Sequence, residues 1–166
     1  MRGTRGKGSP AGSLSGPELA GNGEAEVPRA QSSGSGLLSA VVTESAPAAI
    51  GPYVQGMSVA SGCRLVFTSG QLPLDPVSGT MVDGGVAEEA LQALRNALAI
   101  LAEVGARGED VVRATIYLVD MAAYPIVNDV YERVFEGHWP ARTVVGVSAL
   151  PRGASLEVEL VAAISG

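Results

Sequence analysis

A chain of 166 residues with 46% hydrophobic and 17% charged side chains has material for one domain with an ample core. Its formal charge is −6, and residues 37–166 alone carry seven arginines against fourteen carboxylates, a net of −7. So acidic a surface repels phosphate backbones and argues against nucleic-acid binding. One cysteine, Cys63, excludes an intrachain disulfide and suits a reducing, cytoplasmic setting. No apolar run approaches the ~20 residues that span a bilayer, and no signal-peptide core is visible.

Residues 1–36 include "RGTRGKGSPAGSLSG" and "QSSGSG". Such a Gly/Ser/Pro-rich stretch cannot bury enough apolar surface to offset chain entropy, which predicts a disordered tail ahead of a domain over 37–166. Leu38–Thr43 reads as a short strand, followed by the loop "ESAPAAIGPYVQG". Met57–Ala60 reads as a second strand, turned at Ser61-Gly62 into a third, "CRLVFTSG"; this pattern predicts a hairpin between strands two and three. "LPLDPVSGTMVDGG" is a turn-rich connection.

Over Val86–Val104 the apolar residues Leu91, Leu94, Leu98 and Leu101 form a helical stripe that Gly105 stops. Glu88 and Glu89 stand where charge favours a helix N-terminus. "DVVRATIYLV" alternates as a strand. Pro125–Glu136 reads as a second helix with Val127, Val130, Tyr131 and Val134 inward and the proline in its first turn. Arg142–Ala149 and Ser155–Ile164 are the closing strands. The order β-β-β-α-β-α-β-β predicts an α+β fold with two helices on one face of a mixed sheet. "TVVGV" and "VELVAAI" are apolar on both sides, so the opposite face is expected to be covered by another subunit.

The chemistry narrows by elimination. The only lysine, Lys7, lies in the tail, and the only histidine, His138, has no evident partner. One His and one Cys make neither the usual zinc site nor a nucleophile–base pair, and no phosphate-binding glycine loop is present. What stands out is Arg142, opening an apolar strand in "WPARTVVGV". A guanidinium keeps its charge, so it must reach water, pair with an internal carboxylate or await an anionic ligand. Glu157 and Glu159 alternate with apolar residues in "SLEVELVAAI" and share one face. They are either a solvent-facing pair on an edge strand, or close to Arg142 if the last two strands are neighbours.

Several segments together resemble one family: "IGPYVQG", "FTSGQLPLDPVSG", "NDVYERVF", "PARTVV" and "LEVELVA" are similar, in order, to the signature segments of the RidA/YjgF reactive-intermediate deaminases. The resemblance covers Thr43–Ile164. It implies a chorismate-mutase-like fold and a homotrimeric barrel with active sites in the clefts between subunits. It also implies cofactor-free hydrolysis of enamines and imines, such as 2-aminoacrylate and 2-iminopropanoate, to 2-keto acids and ammonia. On this resemblance Arg142 grips the substrate carboxylate and Glu157 positions or activates water. Tyr53 closes the pocket, Asn128 lines the cleft, and Ser69, Gly70 and Gln71 form the loop facing the substrate. Val144 stands where relatives often carry Cys or Thr, and its backbone carbonyl would hold the water; Gly146 stands where Glu is common. No metal is implied. Three other readings share the fold: a non-catalytic sensor of small acids, an imine hydrolase of another catabolic pathway, and an RNA-cleaving translation inhibitor.

Overall fold

The computed structural model describes residues 36–166; the expectation of a tail over 1–36 lies outside them except at Gly36. The elements are β1 (Leu38–Val41), β2 (Gly56–Val59), β3 (Cys63–Phe67), α1 (Val86–Ala102), β4 (Val111–Leu118), α2 (Tyr124–Phe135), β5 (Ala141–Gly146) and β6 (Leu156–Ser165). Single 3-10 turns precede β4, α2 and β6. The expected order holds. No helix among the described residues is long and apolar enough to cross a membrane.

A four-stranded sheet runs β3-β6-β4-β5, with only β4 and β5 parallel. That pair follows from its connection. A strand, a helix and a strand form a crossover that returns the chain in the same direction, so α2 delivers β5 alongside β4. Both helices pack on one face. Leu94 and Leu101 of α1 and Val127, Val130 and Tyr131 of α2 bury themselves against Ala114, Ile116 and Leu118 of β4 and Leu156, Val158 and Leu160 of β6. Leu91 and Leu98 complete the α1 stripe at the edge of the same core.

Two expectations need correction. The β2–β3 hairpin does not form: β2 pairs antiparallel with β1 in a separate two-stranded sheet, while β3 pairs with β6. Ser61-Gly62 therefore turns the chain from one sheet into the next. The last two strands are not neighbours either, because β4 lies between β5 and β6.

The sheet face away from the helices carries Leu65 and Phe67 of β3, in register with Ala163 and Val161, and Val145 of β5, in register with Tyr117. Phe67 is 67% exposed and Leu65 48%. The β1–β2 pair covers one end of this face, where Met57 and Val59 pack by Val112 and Ala163.

Candidate active site

Strand β5 begins directly after Pro140 with Ala141 and Arg142. Its register places Arg142 opposite Ala114 and Val144 opposite Ile116, so both side chains face the helices. The Arg142 guanidinium carbon lies 4.7 Å from the ring centroid of Tyr131, 5.5 Å from that of Tyr53 and 5.7 Å from that of Tyr124. Ring faces attract a cation through their quadrupoles. Nη2 donates to the Tyr124 hydroxyl at 3.2 Å, while Nη1 is enclosed without a partner.

The supporting helix shows the same incompleteness. Tyr124, Asn128 and Tyr131 occupy positions i, i+4 and i+7, one face of α2. The Asn128 Oδ1 and the Tyr131 hydroxyl are both enclosed and unpartnered. Burial pushes the Tyr131 hydroxyl well above its ordinary value, and the charge of Arg142 opposes this only in part. The phenol therefore stays neutral and is no counter-ion. Among the described residues the only ion pair is the surface pair Arg107–Glu109. A half-buried guanidinium with aromatic faces and no anion is prepared to receive one.

The Ile50–Gly56 loop supplies the mouth of this cleft. Val54 bridges to Ala141 in parallel sense, and its N–H donates to the Pro140 carbonyl at 3.3 Å. The Tyr53 hydroxyl accepts from the Ile50 N–H at 3.3 Å. A Cβ on Gly51 would stand 3.4 Å from Arg142 Nη2 and 3.4 Å from the Tyr53 ring. A glycine here leaves the approach to Nη2 uncovered.

Glu157 lies elsewhere. In the β4–β6 register it is opposite Tyr117, and Glu159 is opposite Thr115, so both carboxylates face away from the helices. Glu159 is engaged: the Tyr117 hydroxyl donates to it at 3.3 Å, and burial, then the Glu159 charge, raises the pKa of Tyr117. The Glu157 carboxylate has no hydrogen bond or ion pair among the described residues. Against it lies the backbone of Gly70. A Cβ there would overlap Glu157 Oε1 and stand 2.6 Å from its Cδ.

Helix α1 holds this second cluster. Gln71 and Val158 exchange backbone hydrogen bonds of 2.7 and 3.0 Å, and Asn96 Nδ2 donates to the carbonyls of Leu72 (3.0 Å) and Leu74 (2.9 Å). Glu89 accepts from the Ser155 N–H at 2.9 Å and the Ser155 hydroxyl at 3.0 Å. Its role therefore extends beyond charge at the helix start: it anchors the entry to β6, two residues before Glu157.

Comparison with known proteins agrees with this architecture. Residues 43–164 match the family model described as Endoribonuclease L-PSP. The chain belongs to this family. Within it, the chain is 48% identical over 122 residues to the 2-iminobutanoate/2-iminopropanoate deaminase of Bos taurus, covering 74% of this chain and 87% of the relative. It is similar to the crystal structure of E. coli TdcF with bound serine, at TM-score 0.59 and 37% identity, covering 76% of this chain and 98% of the other. It also resembles the YjgF product of E. coli, at TM-score 0.57 and 40% identity, covering 74% and 96%. The expected RidA/YjgF membership and α+β fold are thus found.

The residues expected at the family's site fall into two groups. Arg142, Tyr53 and Val144 gather beneath α2, with Asn128 on the helix face that bears Tyr124 and Tyr131. Ser69, Gly70, Gln71 and Glu157 gather at β6. The expectation of a carboxylate beside Arg142 fails within one chain, because β4 intervenes and the two side chains point to opposite faces. Gln71 turns its side chain back on its own loop, donating to the Ser69 and Gly70 carbonyls at 3.2 Å each. His138 has a partner after all: Nε2 lies 2.8 Å from the Val111 carbonyl oxygen, to which it donates. Sequence reasoning missed Tyr124 and treated Tyr131 as core alone. The signal was present, since a polar Asn128 spaced i+4 from one tyrosine and i−3 from another marks a polar helix face.

Proposed function

We propose that the protein is a cofactor-independent deaminase that hydrolyses small 2-imino acids, and the enamines that tautomerise to them, to 2-keto acids and ammonia. Support comes from the half-buried Arg142 guanidinium, which has three tyrosine faces and no anion, together with the activity named for the bovine relative. Only a planar fork of donors makes two parallel bonds to a carboxylate.

Arg142 and Glu157 diverge within one protomer, so the working site needs two chains. In this reading the exposed apolar sheet face bearing Leu65, Phe67 and Val145 packs into a homotrimer, and Glu157 of one chain meets Arg142 of the next. Arg142 fixes the substrate carboxylate, and Tyr53 closes over it. The imine, protonated at nitrogen, is electrophilic at its carbon. Glu157 accepts a proton from water as oxygen attacks that carbon. Glu157 then returns that proton to nitrogen, and the tetrahedral carbinolamine collapses: the C–N bond breaks, ammonia leaves, and the hydroxyl oxygen releases its proton to water as C=O forms. The backbone carbonyl of Val144 orients the water. Holding the reactants together lowers the barrier by up to ~7–11 kcal/mol at ideal orientation, and proton transfer by Glu157 adds ~10²–10⁴-fold.

The RNA-cleaving activity in the family's description is less well supported. Residues 37–166 carry a net charge of −7 and no lysine, a poor field for a phosphate backbone. The test is a coupled assay in which an amino-acid oxidase generates 2-iminopropanoate and semicarbazide traps what remains. Wild type is expected to suppress semicarbazone formation and Arg142→Ala to lose that effect. Equal suppression by both would remove Arg142 from the mechanism. Absence of suppression by wild type, with pyruvate still bound, would turn the reading to a sensor.

A further inference from the structure

A guanidinium among ring faces is attracted to all of them, yet none fixes the rotation of its plane. Cation–π attraction is broad in angle, whereas two parallel bonds to a carboxylate require the N–H fork to lie in the plane of the acid. Something in the cleft has to choose that plane. Among the described residues one hydrogen bond to the Arg142 guanidinium is present: Nη2 donates to the Tyr124 hydroxyl at 3.2 Å.

Tyr124 is itself rigidly placed. It opens α2, with Pro125 next to it in the first turn. The preceding 3-10 turn is capped by Asp120, whose carboxylate accepts from the Ala122 N–H at 2.9 Å. The Tyr124 N–H donates back to the Met121 carbonyl. A hydroxyl on so constrained a backbone is a fixed reference point for a long, four-torsion side chain. The other two rings cannot serve this way, since the Tyr131 hydroxyl is enclosed without a partner and the Tyr53 hydroxyl is engaged with Ile50.

We propose that Tyr124 is the positioning residue of the carboxylate site: its hydroxyl sets the plane of the Arg142 fork and so the affinity for 2-imino and 2-keto acids. The inference rests on the reading of Arg142 as a carboxylate receptor. It does not need the hydrolytic step.

The test uses the full-length protein and Tyr124→Phe, which keeps the ring and its cation–π contact. Pyruvate, the product of 2-iminopropanoate hydrolysis, is the ligand titrated. Pyruvate Kd is expected to rise about tenfold, the scale of one hydrogen bond to a charged group, with Tm little changed. In the coupled assay KM rises and kcat stays. Nitrogen-15 NMR of the arginine side chains supplies the readout a packing defect would not move. Resolved Arg142 Hη signals in wild type are expected to merge in Tyr124→Phe as rotation about the Cζ–Nη2 bond is freed. An unchanged pyruvate Kd overturns the proposal, as does weaker binding with the guanidinium signals unaltered. Wild type that binds pyruvate but hydrolyses no imine overturns the deaminase reading and still leaves Tyr124 decided by the titration.

Discussion

Arg142 sits on the helix side of the edge strand β5, enclosed by three tyrosine rings from α2 and the Ile50–Gly56 loop. Glu157 sits on the open side of the interior strand β6, with the Gly70 backbone against it and no hydrogen-bond partner among the described residues. The contrast follows from the two charges. A guanidinium cannot neutralise itself, so the fold offers it aromatic faces and leaves it short of an anion. A carboxylate on the open face of the sheet keeps its charge without a protein partner by staying in contact with water, and Glu157 is only half-buried there. One helix serves each half: α2 carries Tyr124, Asn128 and Tyr131, and α1 carries Glu89 and Asn96. The comparison teaches that one chain carries both candidate groups, Arg142 and Glu157, on opposite faces of its sheet.

The largest effect should come from separating the halves between chains. Arg142→Ala and Glu157→Ala should each be nearly inactive. After subunit exchange in an equal mixture, about a quarter of the sites in a cyclic trimer would pair an intact Arg142 with an intact Glu157. Recovery of activity on mixing, measured by semicarbazone suppression, would establish the shared site; no recovery in verified mixed trimers would return both groups to one chain. Next is Gly70→Ala, whose Cβ would stand 2.6 Å from Glu157 Cδ and displace the carboxylate. We expect kcat to fall ~10²-fold, the lower range for removing a general base, with pyruvate binding retained. A loss of pyruvate affinity instead would mean that the two halves are not independent.

Smaller effects come from the scaffolds. Glu89→Ala removes two hydrogen bonds to Ser155 and should cost about 1–3 kcal/mol in denaturant unfolding, with kcat reduced more than KM because β6 carries Glu157. An unchanged midpoint would show that the anchor is dispensable. Asp75, in the turn after the Gly70 loop, accepts from the Ser78 N–H and hydroxyl and from the Val77 N–H, which hold its carboxyl below the usual range. A depressed folded-state pKa contributes stability above the unfolded value, and that contribution is lost as pH falls through the folded one. Asp75→Ala should therefore lower Tm slightly at pH 7, and the gap should close in acid. A gap that persists at low pH would assign the effect to the turn's geometry rather than to its charge.

Periodicity along the chain determined the order of the elements, the α1 stripe of Leu91, Leu94, Leu98 and Leu101, and the shared face of Glu157 and Glu159, because each depends on residues a few positions apart. Elimination left Arg142, Glu157 and Glu159 as the polar residues set in apolar strands, and the resemblance chose Glu157 of the two carboxylates. Only the tertiary structure decided which strands are neighbours. It paired β2 with β1, used the α2 crossover to set β4 between β5 and β6, and so turned Arg142 and Glu157 to opposite faces. It also gathered Tyr53, from a loop some ninety positions away, onto the ring faces of α2 around one cation. Alternation states which residues of a strand face together; it carries no address for the strand next door. That address is set by which long-range pairing buries the most apolar surface for the loop closure it demands.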